Sequence, residues 1–188
     1  MFLAAGLAML PATARGQISA ADVHFMQGMI SHHGQALRMT SLVADRTSRK
    51  DIRLLAEKID VSQRDEIAMM KRWLWERHES APAEMAAHDL PLPAEHEMHM
   101  EMPALMPGML TEPEMAQLAA AKTGEFDRLF LTFMIKHHEG AVSMVAHLFA
   151  TAGAGQESEI FRFATDVDVD QHGEINRMQA MLKTVPHP

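Results

Sequence analysis

Phe25-Met26-Gln27-Gly28-Met29-Ile30-Ser31-His32-His33-Gly34-Gln35-Ala36-Leu37-Arg38-Met39 is the stretch that decides the fold. The chain repeats it as Phe130-Leu131-Thr132-Phe133-Met134-Ile135-Lys136-His137-His138-Glu139-Gly140-Ala141-Val142-Ser143-Met144. Asp22 and Asp127 precede the two copies in the same register, where each would favour the positive end of a helix dipole. An internal repeat of this kind predicts a fold built from two similar units.

Each copy is expected to form a helix with one chemically distinctive face. At about 100° per residue, Met29, His32, Ala36 and Met39 fall in one stripe less than about 90° wide. His33 lies beside that stripe, one turn from Met29. The second copy repeats the arrangement with Met134, His137, His138, Ala141 and Met144.

Thioether and imidazole groups at this spacing predict a copper site that is built twice. These ligands suit Cu(I), with Ag(I) as a mimic, whereas carboxylate and water suit Mg, Ca and Mn. Zinc sites draw on Cys, His and carboxylate but not on Met, and this chain has no cysteine. The alternative is that the methionines fill a core, but packing alone gives little reason to keep a titratable pair twice.

A second pattern, Gln-x-x-Glu-Ile-x-x-Met, follows each copy and ends at Met70 and Met178. The repeating unit is therefore a helix pair, and these methionines would complete each metal site from the second helix. Glu66 and Glu174 would accept a hydrogen bond from the imidazole edge that faces away from the metal. The alternative for both glutamates is a solvated face or a salt bridge to a neighbouring Arg.

Four long helices in two similar pairs predict an all-α fold, an antiparallel four-helix bundle with its sites between helices. Capping patterns at Ser19 and Ser48 mark helix starts. A short helix is expected to start at Thr111-Glu112-Pro113-Glu114, with Pro early where it is tolerated, and to end at Gly124. The expected long helices cover 20–45, 49–77, 125–150 and 156–183. The expected organisation is a leader (1–18), a first helix pair (19–78), a Met/His/Pro-rich linker (79–114) and a second helix pair of the same bundle (115–184).

The linker is a further candidate for metal capture. Its six prolines break any helix, so its methionines are not explained by core packing. Short His-rich tracts indicate metal binding by composition, although a long loop can equally be a disordered connection. The candidate ligands in its densest part are His96, Met98, His99, Met100 and Met102.

Composition and the N-terminus limit the class of protein. Lys and Arg number 17 against 25 Asp and Glu, a net charge of −8 with no basic cluster, which argues against nucleic-acid binding. The apolar run 2–10 is too short to span a bilayer. It is followed by Ala12-Thr13-Ala14 and resembles the end of a secretory signal peptide. We therefore expect an exported protein without a membrane span in the mature chain.

The paired motifs together resemble the CopM-like family, over nearly the whole chain from Asp22 to Leu182. The resemblance implies a ferritin-like four-helix bundle, a periplasmic or otherwise exported location, and copper binding linked to copper tolerance. The positions that match the family pattern are Met29, His32, His33, Met39 and Met70, then Met134, His137, His138, Met144 and Met178.

The predicted function is to sequester, buffer or hand on Cu(I), with a copper exporter or another periplasmic copper protein as partner. This is a binding role without catalysis. One alternative is a di-iron oxidase on the same bundle, which would need Glu-x-x-His motifs that the repeated cores lack. The other is a metal-independent helical interaction module that uses methionines for adaptable contacts.

Overall fold

The structure is a computed structural model that describes residues 18–82 and 105–186. The leader and the linker ligands His96, Met98, His99, Met100 and Met102 lie outside the described residues. The described helices are α1 (Ala20–Ser41), α2 (Val43–Arg46), α3 (Lys50–Glu76), α4 (Glu112–Ala120), α5 (Thr123–Ala150) and α6 (Ser158–Leu182). These parts of the chain contain no strand, so the predicted all-α fold is confirmed.

The four long helices pack in the way that the repeat predicts. Helix α1 packs against α3, and α5 packs against α6, which forms the two pairs. The contact between α1 and α5, the two helices that carry the His-His copies, joins one pair to the other. The copies therefore meet in the middle of the bundle. None of the described helices is both long enough and apolar enough to cross a bilayer.

Two helices begin with capping boxes, of which the sequence predicts the one at Ser19. The Ser19 hydroxyl accepts a hydrogen bond from the Asp22 amide at 3.1 Å, and the Asp22 carboxylate accepts one from the Ser19 amide at 2.8 Å. Asp22 also accepts a hydrogen bond from the Gly155 amide at 2.7 Å, which ties the start of α1 to the turn before α6. Thr111 and Glu114 form the same reciprocal pair at the start of α4.

The capping pattern at Ser48 predicted the start of α3 wrongly. Arg49 occupies the N-cap position, and no side chain caps the helix. Asp51, the expected acidic partner, instead pairs with the Arg49 guanidinium at 2.5 Å. A carboxylate held by a guanidinium is a charge-assisted pair, so it leaves the reciprocal bond to the backbone unmade.

The boundary between α4 and α5 is also displaced from the expected one. Gly124 was expected to separate the helices, but it lies in the first turn of α5. Extended backbone at Ala121 and Lys122 separates them instead, and Thr123 follows with φ 52°. The long first helix is likewise interrupted, since α1 ends at Ser41 before the short α2.

Residues 106–110, which we call the strap, cross the contact between α1 and α5. The Gln35 amide group holds the strap on the α1 side: its Nε2 donates to the Leu110 carbonyl at 2.9 Å, and its Oε1 accepts from the Leu110 amide at 2.7 Å. On the α5 side, Pro107 and Gly108 approach the backbone at Gly140 so closely that a Cβ there would overlap them. Glycine is therefore required at position 140 by this close approach.

Candidate metal centre

The two histidine pairs lie in the centre of the bundle, one pair on α1 and one on α5. His32, His33, His137 and His138 each have 0% of their surface exposed. The rings of His32 and His137 lie 3.9 Å apart between centroids. The centroid distance is 6.5 Å from His32 to His33 and 6.2 Å from His137 to His138. The four rings therefore form one continuous series from α1 to α5.

The outer ring of each pair contacts a glutamate on the second helix of its own pair. His33 Nε2 lies 2.5 Å from an oxygen of Glu66, and His138 Nε2 lies 2.6 Å from an oxygen of Glu174. The hydrogen bonds that the sequence predicts for these glutamates are thus present. An ionised carboxylate only accepts, so Nε2 carries the proton in both rings.

The inner rings use backbone carbonyls instead. His32 Nε2 donates to the Pro107 carbonyl of the strap at 3.0 Å, and His137 Nε2 donates to the His32 carbonyl at 3.1 Å. A carbonyl has no proton to give, so Nε2 is again the protonated nitrogen. In their neutral form, all four imidazoles therefore share one tautomer, with a lone pair on Nδ1.

The four Nδ1 atoms are buried and have no hydrogen-bond partner. A buried polar atom without a partner is rare in folded proteins and calls for an explanation. Across residues 18–82 and 105–186, no three His, Cys, Asp or Glu side chains converge in a way that could hold a metal ion. Methionine sulfur, which together with imidazole is the ligand set of Cu(I), is present among the buried side chains of the core.

The predicted methionines lie in two separate apolar clusters. Met29 and Met70 belong to one cluster, and half-buried Met144 packs against it. Met39, Met134 and Met178 belong to the other. The structure therefore separates Met39 from Met29, although both lie on the same stripe of α1. Each cluster combines two methionines of one repeat with one methionine of the other: Met144 joins Met29 and Met70, and Met39 joins Met134 and Met178. This exchange arises because α1 and α5 run antiparallel.

The family match covers the region of these motifs. A model of a domain of unknown function, DUF305, matches residues 22–182. The chain belongs to the DUF305 family. The predicted resemblance to CopM-like proteins is confirmed by this match and by the solved structures. No functionally curated protein matches the chain.

Solved structures of this family share the fold. A DUF305 fragment from Deinococcus radiodurans is 31% identical, with 88% of this chain and 97% of that one covered and a TM-score of 0.70. A protein from Streptomyces coelicolor, provisionally described as secreted, is 27% identical, with 87% and 92% covered and a TM-score of 0.68.

CopM, another similar structure, has been crystallised with bound metal. Its Cu(II)-bound form is 27% identical to this chain, with 86% of this chain and 95% of CopM covered and a TM-score of 0.62. Its Cu(I)-bound form gives 25% identity, the same coverage and a TM-score of 0.63. A silver-bound form also matches. Metal binding is thus a property found in the DUF305 family.

Burial keeps the inner imidazoles of this DUF305 chain neutral. Desolvation, then the neighbouring His33, lowers the pKa of His32 to about 3 against the raising effect of the Pro107 carbonyl. Desolvation, then His32, also holds the pKa of His137 well below its ordinary value. A neutral ring keeps its Nδ1 lone pair, so both rings remain competent ligands in mildly acidic solution.

Three components of the centre were missed by sequence reasoning. These are the strap that supplies the Pro107 carbonyl, the Gln35 side chain that anchors it, and the Gly140 backbone that it packs on. The only sequence signal was a glycine in the second copy at Gly140, where the first copy has Gln35. Gln35 and Gly140 occupy the same position of the two copies, and both contact the strap.

Proposed function

We propose that the protein binds Cu(I) inside the bundle, through imidazole Nδ1 atoms and methionine sulfur. The observation that carries the proposal is the set of four buried Nδ1 atoms without a partner. Their lone pairs, fixed by Nε2 hydrogen bonds, are ready to coordinate an ion. The proposed ligands are His32, His33, His137 and His138, with Met29, Met70 and Met144 from one cluster and Met39, Met134 and Met178 from the other.

The surroundings of the rings favour a monovalent ion. Burying a charge requires compensation, and among residues 18–82 and 105–186 the carboxylates bonded to the rings are Glu66 and Glu174, one for each pair. A single positive charge per pair is the charge that one carboxylate balances. The hydrogen bond also raises the basicity of the ligand ring. The forms of CopM with Cu(I) and silver support the same choice of ion.

The biological role that we infer is copper sequestration, buffering or transfer, which would contribute to copper homeostasis and tolerance. Buried ligands favour slow exchange, and the proposed linker ligands His96, Met98, His99, Met100 and Met102 would capture ions from solution. The signal-peptide-like leader and the provisionally secreted relative support an exported, periplasmic location. There the receiving partner would be a copper exporter or another copper protein.

A di-iron oxidase is less consistent with the bundle. Such a centre needs several carboxylates around two metal ions. Glu66 and Glu174 are instead each bonded to an imidazole, and the described part of the chain has no group of three candidate His or carboxylate ligands. We therefore propose a binding protein and not an enzyme.

The test is an anaerobic Cu(I) titration in competition with a chromophoric chelator. His32→Ala with His33→Ala is expected to remove the tightest class of sites from the first pair, and Met29→Leu with Met70→Leu to weaken it. The Met→Leu variants keep the core volume nearly unchanged, so a loss of affinity there cannot come from a collapsed core. Unchanged Cu(I) affinity in both variants would contradict the proposed ligands.

A further inference from the structure

A second set of soft ligands surrounds an open cavity at one end of the contact between α1 and α5. The cavity has a volume of about 220 Å³, and its lining includes two imidazoles and two thioethers. His24 and His147 are exposed, while Met106 of the strap and Met144 are half-buried. The lining contains no carboxylate. These groups are therefore accessible to an ion from solution, unlike the buried histidine pairs.

The two thioethers converge on one point of α1. Met106 Sδ and Met144 Cε each lie 3.3 Å from the position that a Cβ on Gly28 would occupy. His24 precedes Gly28 by one helical turn and so lies on the same face of α1 as Gly28. His147 follows Met144 by one turn and so lies on the same face of α5 as that thioether. Donors from α1, α5 and the strap thus face the same cavity, which the missing side chain at Gly28 leaves open.

The internal repeat supplies a control for this arrangement. The positions in the other copy that correspond to His24, Gly28 and His147 hold Leu129, Phe133 and Leu42. These three apolar residues are partly buried and pack against the core cluster that contains Met39. In the other copy, this position of the bundle is therefore packed with a Phe and two Leu. Neither the repeat nor packing explains the two imidazoles and the glycine that surround the cavity.

We propose that His24, Met106, Met144 and His147 form a second, solvent-accessible site for a soft monovalent ion, Cu(I) or Ag(I). A neutral set of two thioethers and two imidazoles suits such an ion, whereas Mg²⁺ and Ca²⁺ prefer oxygen ligands. Zn²⁺ is disfavoured because thioethers are not among its usual ligands. The site goes beyond the buried centre and does not require it, although Met144 borders both.

The position of the site suggests what it does. Met106, which lines the cavity, directly precedes Pro107 in the strap. The Pro107 carbonyl accepts the hydrogen bond from the buried ring of His32. The strap thus contacts both the surface cavity, through Met106 and Pro107, and the buried ring of His32. The site would receive ions from solution at the place where a movement of the strap would expose His32.

The experiment compares anaerobic Ag(I) titrations of the full-length protein and its variants, followed by the ε-methyl NMR signals of methionine. His24→Leu with His147→Leu, and separately Met106→Leu, are expected to lose one equivalent of bound Ag(I) and to keep the buried class. In the wild type, the Met106 methyl signal should shift on binding. The matched control, Met69→Leu with His172→Leu, changes one half-buried Met and one exposed His elsewhere and should titrate like the wild type.

Gly28→Phe provides a second variant that removes no ligand. It copies Phe133 of the other repeat and would fill the cavity, so the same equivalent of Ag(I) should be lost. The proposal is overturned if the His24/His147 variant binds as many ions as the wild type, or if the Met106 signal does not respond to Ag(I). His32→Ala with His33→Ala separates the two sites, because it should remove buried binding at the first histidine pair and leave the surface equivalent intact.

Discussion

At the scale of single residues, the candidate metal centre depends on which nitrogen of each imidazole is already engaged. Every Nε2 donates to a carboxylate or a carbonyl, and every Nδ1 is left with a lone pair and no partner. A histidine that served only as packing would be expected to satisfy both nitrogens. The chemistry of the site thus follows from four hydrogen bonds that set one tautomer.

The carboxylates bonded to the outer rings should strengthen metal binding. We expect Glu66→Gln, and likewise Glu174→Gln, to lower the Cu(I) or Ag(I) affinity of the neighbouring pair by about 10–100-fold, because a neutral amide supports the ring less well. Competition titration measures the change. Asp166→Asn, on an exposed carboxylate of α6, is the matched control. Equal affinity for Glu66→Gln and the control would refute the role of the glutamate.

The metal-free protein should lose stability as the pH falls below about 6.5. The pKa of His32 is lowered to about 3 and that of His137 well below its ordinary value. Below about pH 6.5 the unfolded chain therefore binds protons at these two rings, whereas the folded chain does not. The contribution of the two neutral rings to the free energy of unfolding is fully present above about pH 6.5. Below it the free energy of unfolding should fall by about 1.4 kcal/mol per pH unit for each of the two rings.

Urea denaturation in the presence of a metal chelator at pH 7.5, 6.0 and 5.0 measures this dependence. The variant His32→Gln with His137→Gln lacks both titrating rings and should show a flatter dependence than the wild type. A wild type with the same free energy of unfolding at pH 7.5 and 5.0 would show that the rings are not held neutral by burial.

At the scale of elements, the strap connects the two helices that carry the histidine pairs and contacts the metal centre. It is fixed by Gln35 on α1 and by the close approach to Gly140 on α5, and it supplies the Pro107 carbonyl to His32. A short segment without helical structure therefore determines the tautomer of a ring in the core.

A single methyl group at the strap should disturb the centre. Gly140→Ala places a Cβ on the Pro107 carbonyl, so we expect a loss of about 1–3 kcal/mol, the usual cost of overpacking, together with weaker Ag(I) binding. Gly173→Ala is the matched control: nothing lies within 4 Å of a Cβ there, and the substitution should stabilise the helix by about 0.4–1 kcal/mol. Chemical denaturation of both variants gives the comparison. Similar stabilities would contradict the packing described for the strap.

The helices were predictable from the sequence to the extent that local signals fix them. The capping box at Ser19 gave a correct start because both of its partners lie within one turn, and the early proline marked the start of α4. The start of α3 was missed because Arg49 pairs with Asp51 in place of a backbone cap. The strap was missed because its contacts with Gln35 and Gly140 are distant in sequence, and no local pattern encodes them.

At the scale of the whole molecule, the repeat gives the bundle two similar halves whose histidine pairs meet. The glutamate contacts were predictable, because both partners belong to repeated helical patterns and the helix pairs are antiparallel. The exchange of Met39 and Met144 between the two clusters was not, because it depends on how α1 crosses α5. Helical periodicity places residues on a face but does not fix the partner of that face.

Metal binding should stabilise the fold as a whole, because the ligands come from both helix pairs. A site that binds only the folded chain adds about 2.7 kcal/mol when the free ion concentration is 100 times its Kd. We expect the thermal midpoint to rise with added Ag(I) in the wild type, and to rise less in the variant that lacks His137 and His138. A midpoint that does not respond to Ag(I) in the wild type would contradict metal binding inside the folded bundle.

The most direct measurement of the central claim is ¹⁵N NMR of the imidazole rings during anaerobic Ag(I) titration. We predict that the Nδ1 resonances of His32, His33, His137 and His138 shift on binding, while each Nε2 keeps its proton and its hydrogen-bonded signature. Nδ1 resonances that remain unchanged in the silver-loaded protein, or coordination through Nε2, would contradict the account.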